Sequence, residues 1–294
     1  VTCKSWTHAW LNEGFATYFE ALWKEWDKGR EEFDYEMVQN ADAYLAEPYR
    51  RAISTPRYSF PFELFDAHLY PKAGWVLHML RRRLGDELFW KAVRLYLNRH
   101  APGVAETIDL MRAFEDATGR SLGCFFDQWI YSPGHPELEG ELSWDGDNGW
   151  VKLAVKQTQK REGDVPVFRV PLRVEARLAD GTVTGMTFEL ESVEQTFHLP
   201  LPSPPVWALV DPEAAVLREM KIKTPPAWAE AALLDQSRDP RVHARVDLVR
   251  QLANEAGAKA TEILARVLRE DPFWGVQGEA AGSLAKLCTP AALE

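Results

Sequence analysis

The sequence predicts a multidomain, mainly α-helical chain in which a β segment separates two helical segments. Apolar residues recur at helical spacing in residues 1–136, alternate with a period of two in residues 137–223, and return to helical spacing in residues 224–294. A chain of 294 residues, of which 46% are hydrophobic, also exceeds what one compact core usually holds. We therefore expect three domains with these boundaries.

Charge and cysteine content exclude several classes of protein. The net charge of -10, without a long basic run, argues against nucleic acid or an anionic membrane as the main partner. The longest weakly charged run, His198 to Val210, contains four prolines and is shorter than the roughly 20 apolar residues of a spanning helix, so no membrane segment is predicted. Cys3, Cys124 and Cys288 are odd in number and widely spaced, which favours reduced thiols over disulfides or a cysteine zinc site.

The first helix is predicted from about Trp10 to an end near Asp27-Lys28-Gly29, and its two faces differ in character. Glu13 lies in the first turn, where the helix dipole favours an acid, and Glu20 can form an i,i+4 pair with Lys24. Gly14 costs about 1 kcal/mol relative to alanine inside a helix, so its position suggests that another backbone approaches closely there. The apolar face is expected to pack through five side chains: Leu11, Phe15, Phe19, Leu22 and Trp26.

The string Trp-Leu-Asn-Glu-Gly-Phe-Ala-Thr-Tyr-Phe-Glu at residues 10–20 strongly resembles the signature of the aminopeptidase N-like zinc peptidases, which are gluzincins. In that family an H-E-x-x-H helix supplies two histidine ligands and the general base, and a glutamate nineteen positions after the second histidine completes the Zn²⁺ site. The resemblance identifies Glu13 as that glutamate. It also implies places around the metal ligands for Asn12 and Glu20, with Glu20 as an acceptor for an upstream histidine.

The other half of that metal site is absent from the sequence. No H-E-x-x-H occurs in these 294 residues. Counting nineteen positions back from Glu13 leads upstream of Val1, so both histidines and the general base are expected there. We therefore expect the downstream part of an enzyme, beginning just after its metal-binding helix and unable to retain zinc by itself.

A second motif, Tyr-Pro-Lys-Ala-Gly at residues 70–74, opens another predicted helix. Pro71 suits the first position of a helix and biases Tyr70 away from the α region, so the Tyr70 ring is expected at the helix entrance. From the local pattern alone, Tyr70 is an aromatic residue that packs on a neighbour. The stretch also resembles the family motif Tyr-x-Lys-Gly-Ala, which Tyr70 and Lys72 match, with the Gly-Ala pair inverted.

The resemblance implies that the Tyr70 hydroxyl stabilises the tetrahedral oxyanion opposite the zinc. If Glu13 and Tyr70 share one site, the carboxylate and hydroxyl oxygens should lie within roughly 7 Å of each other.

Thr107 and Ser121 are suitable N-cap residues for later helices, and Gly119 suits a helix C-terminus. Four further helices are predicted in this domain: Arg30–Ala46, Asp86–Asn98, Thr107–Thr118 and Ser121–Tyr131.

The remaining two domains carry no chemical motif. Residues 137–223 alternate between apolar and polar, with turn signals at 145–149 and 179–182, which predicts a small antiparallel sandwich of about seven strands. Beyond it, Asp239-Pro240 and Asp271-Pro272 repeat at a spacing of 32 residues, and each pair precedes an amphipathic helix. This pattern resembles the start of a HEAT-like helical array, and such an array is expected to continue past the end of the chain.

The predicted fold class is thus the helical half of a thermolysin-like catalytic domain, followed by the sandwich and the truncated array. The resemblance implies a zinc aminopeptidase that acts on peptides with a free N-terminus. A non-catalytic scaffold subunit with the same domain order is the main alternative, and an epoxide-hydrolase relative is a third. The presence of both Glu13 and Tyr70 favours catalysis over the scaffold. A cytoplasmic location is favoured, with a signal peptide left open because the start of the parent protein is expected upstream.

Overall fold

A computed structural model of the chain describes residues 1–235, 241–255 and 257–287. These residues divide into two compact units. The three-domain division therefore remains a prediction, and each unit is described by itself. The first unit comprises Val1–Pro136, Gln159–Phe168 and Leu217–Glu219, and the second comprises Glu137–Thr158, Arg169–Val216 and Met220–Glu294.

The first unit is mainly helical, as the sequence predicts. Two short strands, Thr2–Cys3 and Val104–Ala105, pair in parallel. A 3-10 turn at Trp6–His8 precedes the first helix, a second lies at Pro61–Leu64, and π-helical turns occupy His68–Lys72 and Asp127–Tyr131. The regular elements are β1 (Thr2–Cys3), α1 (Trp10–Lys28), α2 (Arg30–Leu45), α3 (Ala73–Leu84), α4 (Asp86–His100), β2 (Val104–Ala105), α5 (Thr107–Thr118) and α6 (Gly123–Phe126).

Two predicted helix caps are wrong, although the helix ends are close to those predicted. Glu106, not Thr107, caps α5, because the Glu106 amide donates to the Asp109 carboxylate at 2.8 Å in a capping box. Thr107 is fully buried, and its hydroxyl accepts a hydrogen bond from the Trp10 indole instead of capping α5. Ser121 caps no helix, since α6 begins two residues later at Gly123.

The buried face of α1 differs from the apolar stripe that the sequence predicts. Phe19 and Trp26 are 46% and 76% exposed. The helix instead packs through five residues: Trp10, Leu11, Gly14, Tyr18 and Ala21. Tyr18 is fully buried, with its ring edge-on to Phe33 and Phe89. Apolar spacing alone missed this face because a glycine and a tyrosine hold its centre.

The close approach predicted at Gly14 is present. A Cβ atom added to Gly14 would lie 2.7 Å from the Cβ of Ala73, so α1 and the start of α3 meet there without a side chain between them. One residue along, a Cβ on Gly74 would lie 3.2 Å from the Thr17 side chain. The inverted pair of Ala73 and Gly74 therefore fits this contact, with the small alanine opposite the glycine.

We expect Gly14→Ala to destabilise the first unit by about 1–3 kcal/mol, because the added methyl group has no space beside Ala73. Ala73→Gly should recover part of that loss in the double variant, since it removes the atom in the way. Gly123→Ala is the matched control, because no atom lies within 4 Å of its added Cβ. Urea unfolding measures the free energy. Equal stability of Gly14→Ala and Gly123→Ala would contradict the close contact.

The second unit combines two antiparallel sheets with a helical segment. One sheet has the strand order β7-β4-β3-β9 and the other has the order β6-β5-β8. Inward residues of β4 and β5 alternate with exposed or half-buried ones, as the period of two predicts. The strands are β3 (Glu137–Asp145), β4 (Trp150–Gln157), β5 (Val170–Arg177), β6 (Val183–Leu190), β7 (Glu194–Pro200), β8 (Trp207–Val210) and β9 (Glu219–Lys223).

Four helices follow the strands in the described part of the second unit. Helix α10 packs on α8 and α9, and Arg250 forms a two-bond ion pair with Glu279 across α8 and α10. Asp239-Pro240 of the predicted repeat and Cys288 lie outside the described residues. No described helix is long and apolar enough to cross a membrane. The helices are α7 (Pro226–Leu233), α8 (Val242–Leu252), α9 (Ala258–Glu270) and α10 (Trp274–Leu287).

Candidate functional site

The candidate site lies at the start of α1, which side chains fix to the start of α5. Trp10 is fully buried, and its indole N–H donates to the Thr107 hydroxyl at 2.9 Å. Nδ1 of His8 also lies 2.9 Å from the Thr107 hydroxyl, and burial lowers the pKa of His8. These bonds anchor the first turn of α1, the turn that carries Glu13.

Asn12 supports the strand that precedes α1. Its side-chain oxygen accepts from the Cys3 amide at 3.2 Å, and its side-chain N–H donates to the Val1 carbonyl at 3.4 Å. The predicted place of Asn12 around a metal ligand stays a prediction. In this structure the Asn12 side chain holds β1 against the first turn of α1.

Glu13 and Tyr70, the two residues singled out by the sequence, meet in the structure although 57 positions separate them. Both side chains are half-buried. The pKa of the Tyr70 phenol is raised, first by burial and then by the charge of the Glu13 carboxylate and a side-chain hydrogen bond to it. The two side chains are therefore neighbours, and their membership of one active site stays a prediction. Phe65 also lies beside Tyr70, with the ring centroids 6.2 Å apart.

The backbone at Tyr70 differs from the predicted helix start. Pro71 does not occupy the first position of α3 but lies inside the π-helical turn His68–Lys72, hereafter the π-turn. The reason is a missing donor: proline has no N–H for the Ala67 carbonyl, and the amide of Lys72 donates to that oxygen instead, at 3.0 Å. The turn is one residue wider than an α-helical turn, and Tyr70 lies within it.

A buried ion cluster holds the entrance of the π-turn. The Asp66 carboxylate accepts two bonds from the Arg51 guanidinium, at 2.8 and 2.7 Å, and one from the Tyr49 hydroxyl at 2.6 Å. It also accepts from the backbone amides of His68 and Leu69. Burial acts to raise the pKa of Asp66, but hydrogen bonds from His68, Arg51 and Tyr49 and the Arg51 charge hold it well below its usual range.

We expect Asp66→Asn to cost about 3 kcal/mol near neutral pH, because it leaves the Arg51 guanidinium without its carboxylate. The pKa of Asp66 is lower in the folded state, so its contribution is complete above the unfolded value of about 4 and declines as the pH falls below it. The difference between wild type and variant should therefore shrink between pH 7 and pH ~3. Urea unfolding at both pH values measures it.

The control for this prediction is Asp116→Asn, whose carboxylate pairs with Arg99 on the surface. An exposed pair contributes less than about 1 kcal/mol, so this variant should stay close to wild type at either pH. A constant difference between Asp66→Asn and wild type across the pH range would contradict the depressed pKa.

Sequence reasoning missed Arg51, Asp66 and the burial of Lys72. Lys72 is fully buried, and burial lowers its pKa to about 7, with the Arg51 and Arg50 charges adding to the effect. Its Nζ donates to the Gly134 carbonyl at 2.9 Å. The family motif pointed to Lys72, but nothing in the sequence signalled the Arg51 and Asp66 pair.

Glu20 lies two turns beyond Glu13 on the same face of α1, and it is exposed. The i,i+4 pair expected with Lys24 does not form, because the Lys24 ammonium binds the Glu36 carboxylate of α2. The predicted role of Glu20 beside an upstream histidine remains a prediction.

The Glu13 carboxylate fits one ligand position of a zinc site. Glu13 offers a carboxylate, which is an accepted zinc ligand, and catalytic zinc usually has three protein ligands. Among the described residues, Glu13 belongs to no group of three imidazole, thiol or carboxylate ligands close enough to share one ion. Further ligands for an ion at Glu13 must therefore come from outside the described residues.

The class of protein follows from a comparison of the first part of the chain with known families. Residues 1–129 match the peptidase family M1 domain. Residues 1–129 thus carry the domain of that family, in a segment that resembles the aminopeptidase N-like members.

Curated relatives cover one portion of the chain. Aminopeptidase M1-A of Oryza sativa subsp. japonica is 33% identical over an alignment of 167 residues, and the match covers 54% of this chain and 18% of that protein. Alanine/arginine aminopeptidase of Saccharomyces cerevisiae is 32% identical over an alignment of 227 residues, and the match covers 68% of this chain and 24% of that protein. The chain thus spans less than a quarter of the length of these relatives.

A solved structure resembles nearly the whole chain. Aminopeptidase A of Legionella pneumophila, crystallised with aspartic acid, superimposes with a TM-score of 0.72 over 98% of this chain and 33% of its own length. The sequence identity is 18%, so this likeness shows the fold alone.

Proposed function

We propose that this chain is part of a zinc-dependent aminopeptidase that removes N-terminal residues from peptides. The observation that carries the proposal is the meeting of Glu13 and Tyr70 inside the residues that match the M1 domain. A carboxylate that can hold a metal and a phenol that can donate to an oxygen are two of the groups that such hydrolysis needs. The names of the relatives agree with this activity.

In the proposed site Glu13 would hold the metal as one ligand, and the ligands that complete the set would come from outside the described residues. When bound, zinc supplies a Lewis acid and an acidified water. Trp10 and Thr107 anchor the first turn of α1 and so keep the carboxylate in place. A ligand on a loop would lack this restraint.

The part of Tyr70 in the reaction follows from its neutral phenol. Burial and the nearby Glu13 charge raise the pKa of Tyr70, so the hydroxyl keeps its proton at neutral pH and can donate it in a hydrogen bond. As hydroxide attacks the scissile carbonyl, negative charge grows on the carbonyl oxygen. A hydroxyl that turns from Glu13 to donate to that oxygen would stabilise the transition state more than the ground state.

The scaffold alternative explains less of the same geometry. A hydrogen bond between a phenol and a carboxylate could also serve stability alone, but the scaffold alternative does not account for why both residues also match motifs of a catalytic family. The proposal also extends to the rest of the chain: residues 137–223 form a bracing sandwich domain, and residues 224–294 begin a HEAT-like array. The packing of α10 on α8 and α9 supports the second of these.

The test uses the longer protein that contains this chain, alongside the 294-residue chain alone. The longer protein should bind zinc and cleave a peptide with a free N-terminus but not the same peptide after N-acetylation. The chain alone should do neither, because one carboxylate cannot hold zinc. Equal hydrolysis of both peptides, or a longer protein without bound zinc, would contradict the proposal.

A further inference from the structure

Lys72 has surroundings that are unusual for a lysine. Its side chain is fully buried, and an ammonium is costly to bury unless it is paired. No carboxylate of the described residues lies at ion-pair distance from its Nζ. Its partners are instead the Gly134 carbonyl, at 2.9 Å, and the face of the Tyr44 ring, whose centroid is 5.3 Å away.

The backbone around Tyr70 is held by short-range hydrogen bonds. The Tyr70 amide donates to the Asp66 carbonyl over a long 3.3 Å, and Pro71 has no amide to donate. The Leu69 amide donates to the Asp66 carbonyl and the Lys72 amide to the Ala67 carbonyl, each at 3.0 Å, and the Ala73 amide donates to the Tyr70 carbonyl. All of these bonds are local in sequence, so the side-chain bond of Lys72 adds a restraint from a distant segment.

The far end of this bond is itself fixed. Gly134 has a φ of +86°, and a Cβ added there would lie 3.2 Å from the Val165 side chain. The next residue, His135, is buried, and its Nδ1 lies 3.2 Å from the Tyr44 hydroxyl. The acceptor thus belongs to a packed segment 62 positions away and can act as an anchor.

We propose that Lys72 is a positioning residue for Tyr70: its buried bond to the Gly134 carbonyl holds the π-turn so that the Tyr70 hydroxyl stays aimed at the Glu13 side of the site. Lys72 does not touch substrate. The inference rests on the proposed function, since it assigns Lys72 a part in catalysis only through Tyr70. It adds a residue whose effect on the rate depends on another side chain.

A double-mutant cycle in the longer protein tests this dependence. Lys72→Met keeps the length and apolar stem but removes the donor. We expect kcat to fall about tenfold or more, with KM within about twofold, because a misplaced donor loses transition-state stabilisation. In a Tyr70→Phe background, Lys72→Met should cause no further loss in kcat. The control Lys91→Met removes an exposed lysine and should leave both backgrounds unchanged.

Each outcome has one meaning. Equal losses from Lys72→Met in both backgrounds would assign Lys72 a merely structural role and overturn the inference. If Tyr70→Phe lowers kcat and Lys72→Met does not, the inference fails while the proposed function stands. If Tyr70→Phe keeps full kcat, the proposed part of Tyr70 fails first, and the inference fails with it.

A second variant and a second measurement cover a Lys72→Met protein that does not fold. Gly134→Ala moves the acceptor from the other end of the bond, because its backbone conformation disfavours a side chain and the added methyl group meets Val165. It should lower kcat in the same Tyr70-dependent way. Amide hydrogen exchange should also rise at residues 69–73 in either variant. Unchanged exchange there would overturn the restraint without any activity measurement.

Discussion

Glu13→Ala in the longer protein should abolish bound zinc and leave the fold intact. Removal of a partner outside the ligand set already costs about 10–100-fold in metal affinity, so loss of a ligand should cost more than about 100-fold. The structural cost is small, because the half-buried carboxylate occupies the first turn of α1, where an acid contributes about 0.3–1 kcal/mol. Metal analysis after dialysis measures the zinc, and circular dichroism checks the fold.

Glu87→Gln is the matched control for this prediction. Glu87 also lies in the first turn of a helix, α4, and it is exposed. Its removal should leave zinc content at the wild-type level. Glu20→Gln provides a graded comparison, with an affinity loss of about 10–100-fold if Glu20 supports an upstream ligand. Full zinc occupancy in Glu13→Ala would show that Glu13 is not a ligand.

Tyr70→Phe should lower kcat of the longer protein by about 10²–10³-fold, because it removes one donor to the developing oxyanion. Zinc content should not change, since Tyr70 contributes no metal ligand in the proposed site. KM should also change little, because the hydroxyl acts mainly in the transition state. Steady-state kinetics on an aminoacyl-anilide, with metal analysis of the same sample, separates these quantities.

The control for Tyr70→Phe is Tyr58→Phe, which removes a phenol hydroxyl from another half-buried residue of the first unit. Its kinetics should match those of wild type. A fall in zinc content in Tyr70→Phe would point to a role in holding the metal site. A kcat close to wild type would return Tyr70 to its local interpretation as a packing aromatic.

Much of the helical unit could be predicted from local sequence. The end of α1 before Gly29 and the close contact at Gly14 follow from glycine chemistry. The meeting of Glu13 and Tyr70 was not readable from spacing, since 57 positions separate them. It was predicted only because two motifs of one family each supplied one of the residues.

The features that sequence reasoning missed depend on tertiary contacts. The Asp66 carboxylate and the Arg51 guanidinium are 15 positions apart, and neither residue is distinctive in composition. The buried face of α1 centres on Gly14 and Tyr18, which a count of apolar residues passes over. Thr107 suits an N-cap, yet its hydroxyl accepts from the buried Trp10 indole, and Glu106 takes the cap.

The π-turn at Tyr70 fixes the rotation of α3 about its axis relative to the residues before the turn. An α-helix advances about 100° per residue, so a turn with one extra residue rotates everything after it relative to everything before it. Asp66 and its ion cluster lie before this step, and Ala73, which faces Gly14, lies after it. Removing a single residue from the turn would rotate one contact surface by about 100° against the other, so the chain could keep the ion cluster or the helix contact but not both. The extra residue therefore fixes the angle between these two contact surfaces, and Tyr70 lies in the turn that contains it.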